Sequence, residues 1–303
     1  MSFNLNEEVI DGYLVTAETK KLWAVEMDLA KQLLDVCAKY NLKIWATGGT
    51  LIGAVRHKGF VPWDDDMDFC MMRDDFNKLV SIGPTEFHDP YFFQSFYTDC
   101  FWGGMIKLRQ SDTAMIPSNW KLREYNMGIF IDVFVLDAIP DDELMFAKMY
   151  RKVKMKRKLL HNNNIVHPEN LPLISKIKHS LISCYFKFIS PENTHKNVVR
   201  LLSENSIEDN QECGLIDFSA LEGHDINKIT LRCNKHCYDE TIDLPFHDMV
   251  IPAPKGYDEL LRRQYGDYMT PVMGGQFHTN IIIDCNRSYK EVLAELKKEI
   301  EHD

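Results

Sequence analysis

Apolar residues recur at spacings of three and four between residues 16 and 40: Leu22, Val25, Leu29, Leu33, Val36, Cys37 and Tyr40 fall on one stripe. That period predicts an amphipathic helix. Thr16 suits its N-cap and Glu18 its first turn. The period then changes to two. Residues 42–47 alternate as a half-buried strand does, Gly48-Gly49-Thr50 follows as a turn, and Leu51 to His57 reads as a short helix. Asp66 to Met72 is a second strand and Arg73 to Ile82 a helix. Tyr91 to Thr98 and Gly104 to Arg109 are further strands, and Gly128 to Leu136 is strongly apolar. Beyond it the text turns helical. Asp141 to Leu160 begins acidic and ends basic, as the helix dipole favours, and residues 171–205 read as helix broken near Pro191. Asp243 to Pro252 is extended, and Tyr257 to Tyr265 is a short helix stopped by Gly266. The pattern predicts an α/β (α+β) protein. A mixed β-sheet core with flanking helices spans 16–140, and a mostly helical region that completes the site spans 141–303.

The 303 residues suit about two domains, and 45% apolar with 26% charged residues excludes a disordered or fibrous chain. No run of about 18 apolar residues occurs, which predicts no membrane-spanning helix. The acidic stretch Met1 to Asp11 lacks a hydrophobic signal core, which reads as cytoplasmic. The net charge of −10 argues against a broad grip on nucleic acid. The eight cysteines contain no C-x-x-C pair. Cys233, His236 and Cys237, with Cys213 upstream, are the one group with metal-ligand chemistry; scattered reduced core thiols are the favoured reading.

Candidate chemistry concentrates in residues 45–72, WATGGTLIGAVRHKGFVPWDDDMDFCMM. In a strand, Asp66 and Asp68 share a face while Met67, Phe69 and Met71 face the core. Two adjacent carboxylates repel unless a cation lies between them, and a hard divalent ion, Mg²⁺ or Mn²⁺, is their natural partner. The bland alternative is a solvated acidic loop leading into a strand. Gly48-Gly49-Thr50, between strand and helix, would let backbone N–H groups come close to a phosphate. Asp132 is the only charge in the apolar run from Gly128 to Leu136, and a buried carboxylate needs a partner. Asp66, Asp68 and Asp132 are therefore expected to converge as a catalytic, metal-holding triad.

These blocks resemble the LicD family, whose relatives include fukutin and fukutin-related protein, within the nucleotidyltransferase-fold superfamily. The resemblance rests on GGTLIGAVRHKGFVPWDDDMD, on Ile106 to Arg109 with Thr113, and on Gly128 to Asp132. It continues in Val250 to Pro252, Gly256 to Leu260 and Tyr265 to Met269, so it covers residues 25–280 in blocks. It implies one continuous domain with a nucleotidyltransferase-type core. It also implies transfer of a phospho-alcohol group, phosphocholine-like, from a CDP-activated donor such as CDP-choline to a hydroxyl of a glycan, lipid-linked in many relatives, with release of CMP. Alternatives are a nucleotidyltransferase that releases pyrophosphate and a catalytically silent glycan- or nucleotide-binding relative. Gly48, Gly49, Thr50, Arg56, Lys107 and Arg109 are the expected substrate contacts, with Lys58 and His57 as weaker candidates. Trp63, Tyr97, Phe101, Trp102 and Trp120 are candidates for a cage around a quaternary ammonium. Residues 151–158 hold six basic side chains, and the basic amphipathic text from 171 to 189 follows, so 151–190 is expected to rest on an anionic membrane surface or else to project lysines into water.

Overall fold

The computed structural model describes residues 3–99, 101, 103–118, 125–163, 173–222, 232–273 and 280–302. The chain runs through a hairpin, β1 (Glu8–Ile10) and β2 (Tyr13–Val15), then α1 (Ala17–Lys39), β3 (Trp45–Ala46), α2 (Gly48–Arg56), β4 (Asp68–Met72) and α3 (Arg73–Glu86). It continues with β5 (Tyr91–Gln94), α4 (Phe96–Asp99), β6 (Ile106–Gln110), β7 (Ala114–Pro117) and β8 (Ile129–Ile139). Helices α5 (Glu143–Asn163), α6 (Leu173–Phe188) and α7 (Pro191–Ser203) precede β9 (Glu212–Gly214), α8 (Ile216–Glu222) and β10 (Arg232–Asn234). A hairpin of β11 (Thr241–Phe246) and β12 (Met249–Pro254), α9 (Tyr257–Tyr265), β13 (Ile281–Asp284) and α10 (Tyr289–His302) close the described chain.

Strand β8 organises the sheet. It pairs in parallel with β4 and antiparallel with β6 over its first residues, and antiparallel with β9 at its end. β3 adds to the far side of β4, and β5 to β6. The sheet is mixed and flanked by helices, as the pattern predicted, and strands from both sides of residue 141 contribute to it. Helix α1 lays Leu22, Trp23, Met27, Leu29, Ala30 and Leu33 into the core beneath β8 and β6. Thr16 caps it, its hydroxyl accepting the Thr19 N–H at 3.1 Å.

The differences from the periodicity are local. β3 keeps two residues of the expected 42–47, because Leu42 to Ile44 carry no ladder before the chain turns into α2. β4 begins at Asp68 rather than Asp66. The short β1, β7, β9, β10 and β13 lack the length for a period-two signal.

Between α3, β8 and the helices of the second half lies a fully enclosed ionic network. Arg73 grips Asp137 through Nε at 2.7 Å and Nη2 at 2.8 Å. Arg157, 0% exposed, grips Asp217 with both contacts at 2.5 Å and reaches His195 Nδ1 at 3.0 Å. The His195 ring stacks on Phe96 at 4.1 Å. Bidentate arginine–carboxylate pairs satisfy donors and acceptors together, which is how charge survives burial. Arg157 was expected among the surface cations of 151–158; the structure turns it inward.

Candidate active site

Three parallel or antiparallel neighbours set one row of side chains. Asp68 of β4 stands opposite Asp132 of β8, and Asp132 stands opposite Lys107 of β6. Residues in register on adjacent strands share a face. Lys107 Nζ donates to both Asp132 carboxylate oxygens, at 2.6 and 2.8 Å, and sits 3.5 Å from the centroid of the Phe130 ring. Burial pushes the Lys107 ammonium down from its ordinary range, while Asp132 works against that shift. Asp132 thus has its counter-ion in the sheet itself.

The loop before β4 supplies the other carboxylates. Met67 is 0% exposed and points into the core, so its neighbours Asp66 and Asp68 turn the other way. Ligand oxygens of Asp64, Asp65 and Asp66 lie within 4.8 Å of one another. Burial, then Asp66 and Asp65, push the Asp64 carboxyl up to about 8. Burial, then Asp66, Asp132 and Asp64, raise Asp68 well above the carboxylate range. The expected meeting of Asp66, Asp68 and Asp132 takes a different form. The tight group among the described residues is Asp64 to Asp66, because the chain curls there before the ladder starts; Asp68 and Asp132 adjoin it as register partners.

The glycine pair is the first turn of α2, not a turn ahead of it. Gly48 adopts φ +55°, a left-handed value that favours glycine, and a Cβ there would lie 3.3 Å from Asp68 Oδ2. A Cβ on Gly49 would meet Asp64 Oδ2 at 2.1 Å. Carboxylates therefore approach both glycines from the side, next to the N–H groups of the helix start, which attract negative charge. Thr50 does a different job from the phosphate contact expected of it: its hydroxyl accepts the Asp68 N–H at 2.8 Å. The Thr47 N–H donates to the Asp68 carbonyl at 3.0 Å.

Of the expected basic contacts, only Lys107 joins this row. Arg109 is buried, with Nε on Gln94 Oε1 and Nη1 on the Gly128 carbonyl, both at 2.7 Å, and the Phe130 and Tyr125 rings beside it. Arg109 shares Lys107's face of β6 but stands two residues farther along, opposite Phe130 rather than Asp132, where Gln94 and the Gly128 carbonyl take its donors. Its donors are committed to the scaffold. Arg56 donates to the Tyr268 carbonyl at 2.7 Å and fastens α2 to the segment after α9. His57 pairs with Asp11 at 2.9 Å, and Lys58 occupies a turn with φ +56°.

The aromatic candidates separate. Trp63 meets Tyr13 edge-on at 6.0 Å, Tyr97 packs on Phe96 and His195, and Phe101 lies near Lys107 and Tyr125. Trp102 and Trp120 lie outside the described residues. A cleft of about 610 Å³ opens beside the acidic loop, lined by Tyr13, Trp63, Asp64, Asp65 and Lys21 among others. Cys213 and Cys233 face each other across β9 and β10 with sulfurs 3.6 Å apart, whereas His236 is turned to Asp239 at 2.8 Å. Among the described residues these four do not gather as a metal site.

Four residues of the neighbourhood escaped the sequence reading. Asp64 was passed over in favour of the strict alternation of Asp66 and Asp68. The Tyr265 hydroxyl would stand 3.8 Å from a Cβ on Gly48 and is pushed up to about 12 by burial, then Asp68, Asp64 and Asp66. Half of the residue stays in solvent, so the crowding is at the hydroxyl end. Trp23 and Glu26 come from α1, where both read as ordinary helix positions; only a charge on the buried stripe marks Glu26. The donor set is all carboxylate oxygen, like-charged and partly enclosed, and so fits a hard divalent cation.

Residues 41–171 match the family described as LicD/FKTN/FKRP, nucleotidyltransferase domain. The lipopolysaccharide cholinephosphotransferase LicD of Haemophilus influenzae is 28% identical over 270 residues, which cover 82% of this chain and 92% of that protein. An uncharacterized protein of Rickettsia prowazekii is 38% identical over 80 residues, 26% of this chain and 29% of that protein. One of Rickettsia typhi is 47% identical over 47 residues, 16% and 15% of the two.

Proposed function

We propose, from the premise that the chain belongs to the LicD family, that it is a phosphotransferase moving phosphocholine from CDP-choline to a hydroxyl of a lipopolysaccharide glycan. The observation that carries this reading is the row Asp68–Asp132–Lys107 beside the N-terminus of α2, within the region that matches the family. A Mg²⁺ or Mn²⁺ ion held by Asp64, Asp66 and Asp68, with Asp132 adjoining, would supply neutralisation of phosphate charge. The chain's own groups do the rest. The N–H groups at the start of α2 receive phosphate oxygens. Lys107 lends positive charge beside Asp132. The acceptor hydroxyl oxygen forms the new bond to the β-phosphorus, the bond from that phosphorus to the bridging oxygen breaks, CMP leaves with that oxygen, and a carboxylate takes the hydroxyl proton. Trp63 and Tyr13 line the adjoining cleft with Asp64 and Asp65, a mix of aromatic faces and negative charge that suits a quaternary ammonium. Incubation with CDP-choline and lipopolysaccharide is expected to release CMP; pyrophosphate from CTP instead would support the nucleotidyltransferase alternative.

A peripheral membrane contact belongs to the same reading. No described helix is long and apolar enough to cross a membrane. Helix α6, however, buries only Ile182 and exposes Leu173, Ile174, Ile177, Leu181 and Phe188 at 54% to 84%. It contains Lys176, Lys178 and Lys187 and no acidic residue, in a chain of net charge −10. An anionic bilayer surface at the cytoplasmic face, where a lipid-linked glycan would be presented, fits both its apolar stripe and its charge.

A further inference from the structure

Helix α1 approaches the acidic loop from the core side. The Trp23 indole Nε1 donates to the Asp64 carbonyl at 2.9 Å, so this part of α1 is fastened to the loop. Glu26 follows three residues later, on the same face of the helix. It is 0% exposed, and neither carboxylate oxygen has a hydrogen-bond partner among the described residues. The charges that bear on it, in order, are Asp66, Asp65, Asp64 and Asp68, and with burial they push its carboxyl well above the usual range.

Buried polar atoms nearly always find partners, and an exception points to a group that belongs there. A core position needing only volume is filled more stably by leucine or methionine. Glu26 is instead a carboxylate enclosed behind a loop of four others. It lies outside the group whose ligand oxygens are within 4.8 Å of one another, Asp64, Asp65 and Asp66. Small divalent ions such as Mg²⁺ keep several waters, so a carboxylate one water away still holds the ion.

We propose that Glu26 is a positioning residue of the cation site, holding from the buried side, through a coordinated water, the divalent ion that Asp64 to Asp68 hold from the loop side. This rests on the reading of that loop as a cation site. The test is a Mn²⁺ titration of the full chain, with free Mn²⁺ followed by electron paramagnetic resonance, beside thermal melting of the metal-free protein. Glu26→Gln is expected to weaken Mn²⁺ binding about 10- to 100-fold, the usual cost of losing an outer-shell carboxylate. Glu26→Leu should weaken it further, and Glu26→Asp should fall between wild type and Glu26→Gln. The metal-free melting temperature of Glu26→Gln should hold or rise, since an orphaned carboxyl is removed. Mn²⁺ affinities of Glu26→Gln and Glu26→Leu within twofold of wild type, with Asp66→Asn crippled, would overturn the proposal alone. Equal affinity in wild type and Asp66→Asn would overturn the cation site and Glu26's role with it. If Glu26→Leu does not fold, Glu26→Gln and Glu26→Asp decide.

Discussion

Two regions of this protein bury charge, and they do so in opposite ways. Behind α3 and β8, Arg73 with Asp137 and Arg157 with Asp217 are matched cation to anion, two bonds to each pair, with His195 closing the set. Before β4, carboxylates press on carboxylates: Glu26 has no hydrogen-bond partner among the described residues, and Asp64 and Asp68 are displaced upward by burial and then by Asp66. Matched burial holds elements together, since removing one partner strands the other. Like-charged burial works against folding, and a protein keeps it where something else will bind.

Substitution separates the two. Asp66→Asn or Asp68→Asn should cut CMP release by about a thousandfold, near 4 kcal/mol of barrier, with an unchanged or higher melting temperature. A variant of either that turns over near the wild-type rate would sink the assignment. Arg157→Met should do the reverse in kind. It leaves Asp217 enclosed without its partner, at a cost of about 3–5 kcal/mol, to be read as a shifted urea midpoint or loss of soluble protein. Wild-type stability in that variant would demote the network to decoration.

Acid should probe the matched region. Burial, then Arg157, pushes the His195 imidazole down to about 3. A histidine depressed in the folded state contributes its full stability above its unfolded value, about 6.5, and loses it as pH falls toward the folded value. Each unit in that window is worth about 1.4 kcal/mol, so roughly 2 kcal/mol should disappear between pH 6.5 and 5. His195→Gln should flatten that part of the curve of urea midpoint against pH. An unchanged slope in the variant would place the acid sensitivity elsewhere.

The smallest effect concerns cations that face out instead of in. Lys154, Lys156 and Lys158 lie on the same helix as Arg157 without its enclosure. With Lys176 and Lys178 of α6 they should draw the protein to anionic vesicles at low salt, by about 1 kcal/mol per charge near the surface. High salt should release it, because exposed charges are screened within about 10 Å at 0.1 M. Gln at these positions should abolish co-sedimentation while transfer to a small soluble acceptor survives. Indifference of the native protein to vesicles at low salt leaves α6 as a solvated face.

What the residues announced in advance was the local part of this contrast. Thr16, the stripe of α1, the stop at Gly266 and the alternation around Met67 all act within a few residues, so spacing reveals them. Asp66, Asp68 and Asp132 were legible as a group because the first two alternate with Met67 and the third is the only charge between Gly128 and Leu136. Arg109 and Arg157 misled for one reason: a guanidinium's destination depends on Gln94 or Asp217, which the chain brings up from 15 and 60 residues away. Glu26 carried one local sign, a charge on the buried stripe of α1, but what it faces depends on a loop about 40 residues away. The glycine pair misled more subtly. A turn and a helix's first turn both favour glycine, and only the register of α2 tells them apart.

The Thr50 hydroxyl joins the start of α2 to the Asp68 N–H, and the Thr47 N–H ties the carbonyl of the same residue. The spacing between an anion-attracting helix end and a carboxylate is therefore settled when the chain folds, before any donor arrives. The rotational and translational freedom that two independently mounted groups would surrender on meeting a ligand has already been given up. The two also form one unit: a shift of helix or strand that improved one contact would carry the other with it, so variation in a ligand would be accommodated farther out, in the cleft by Trp63, rather than at this joint.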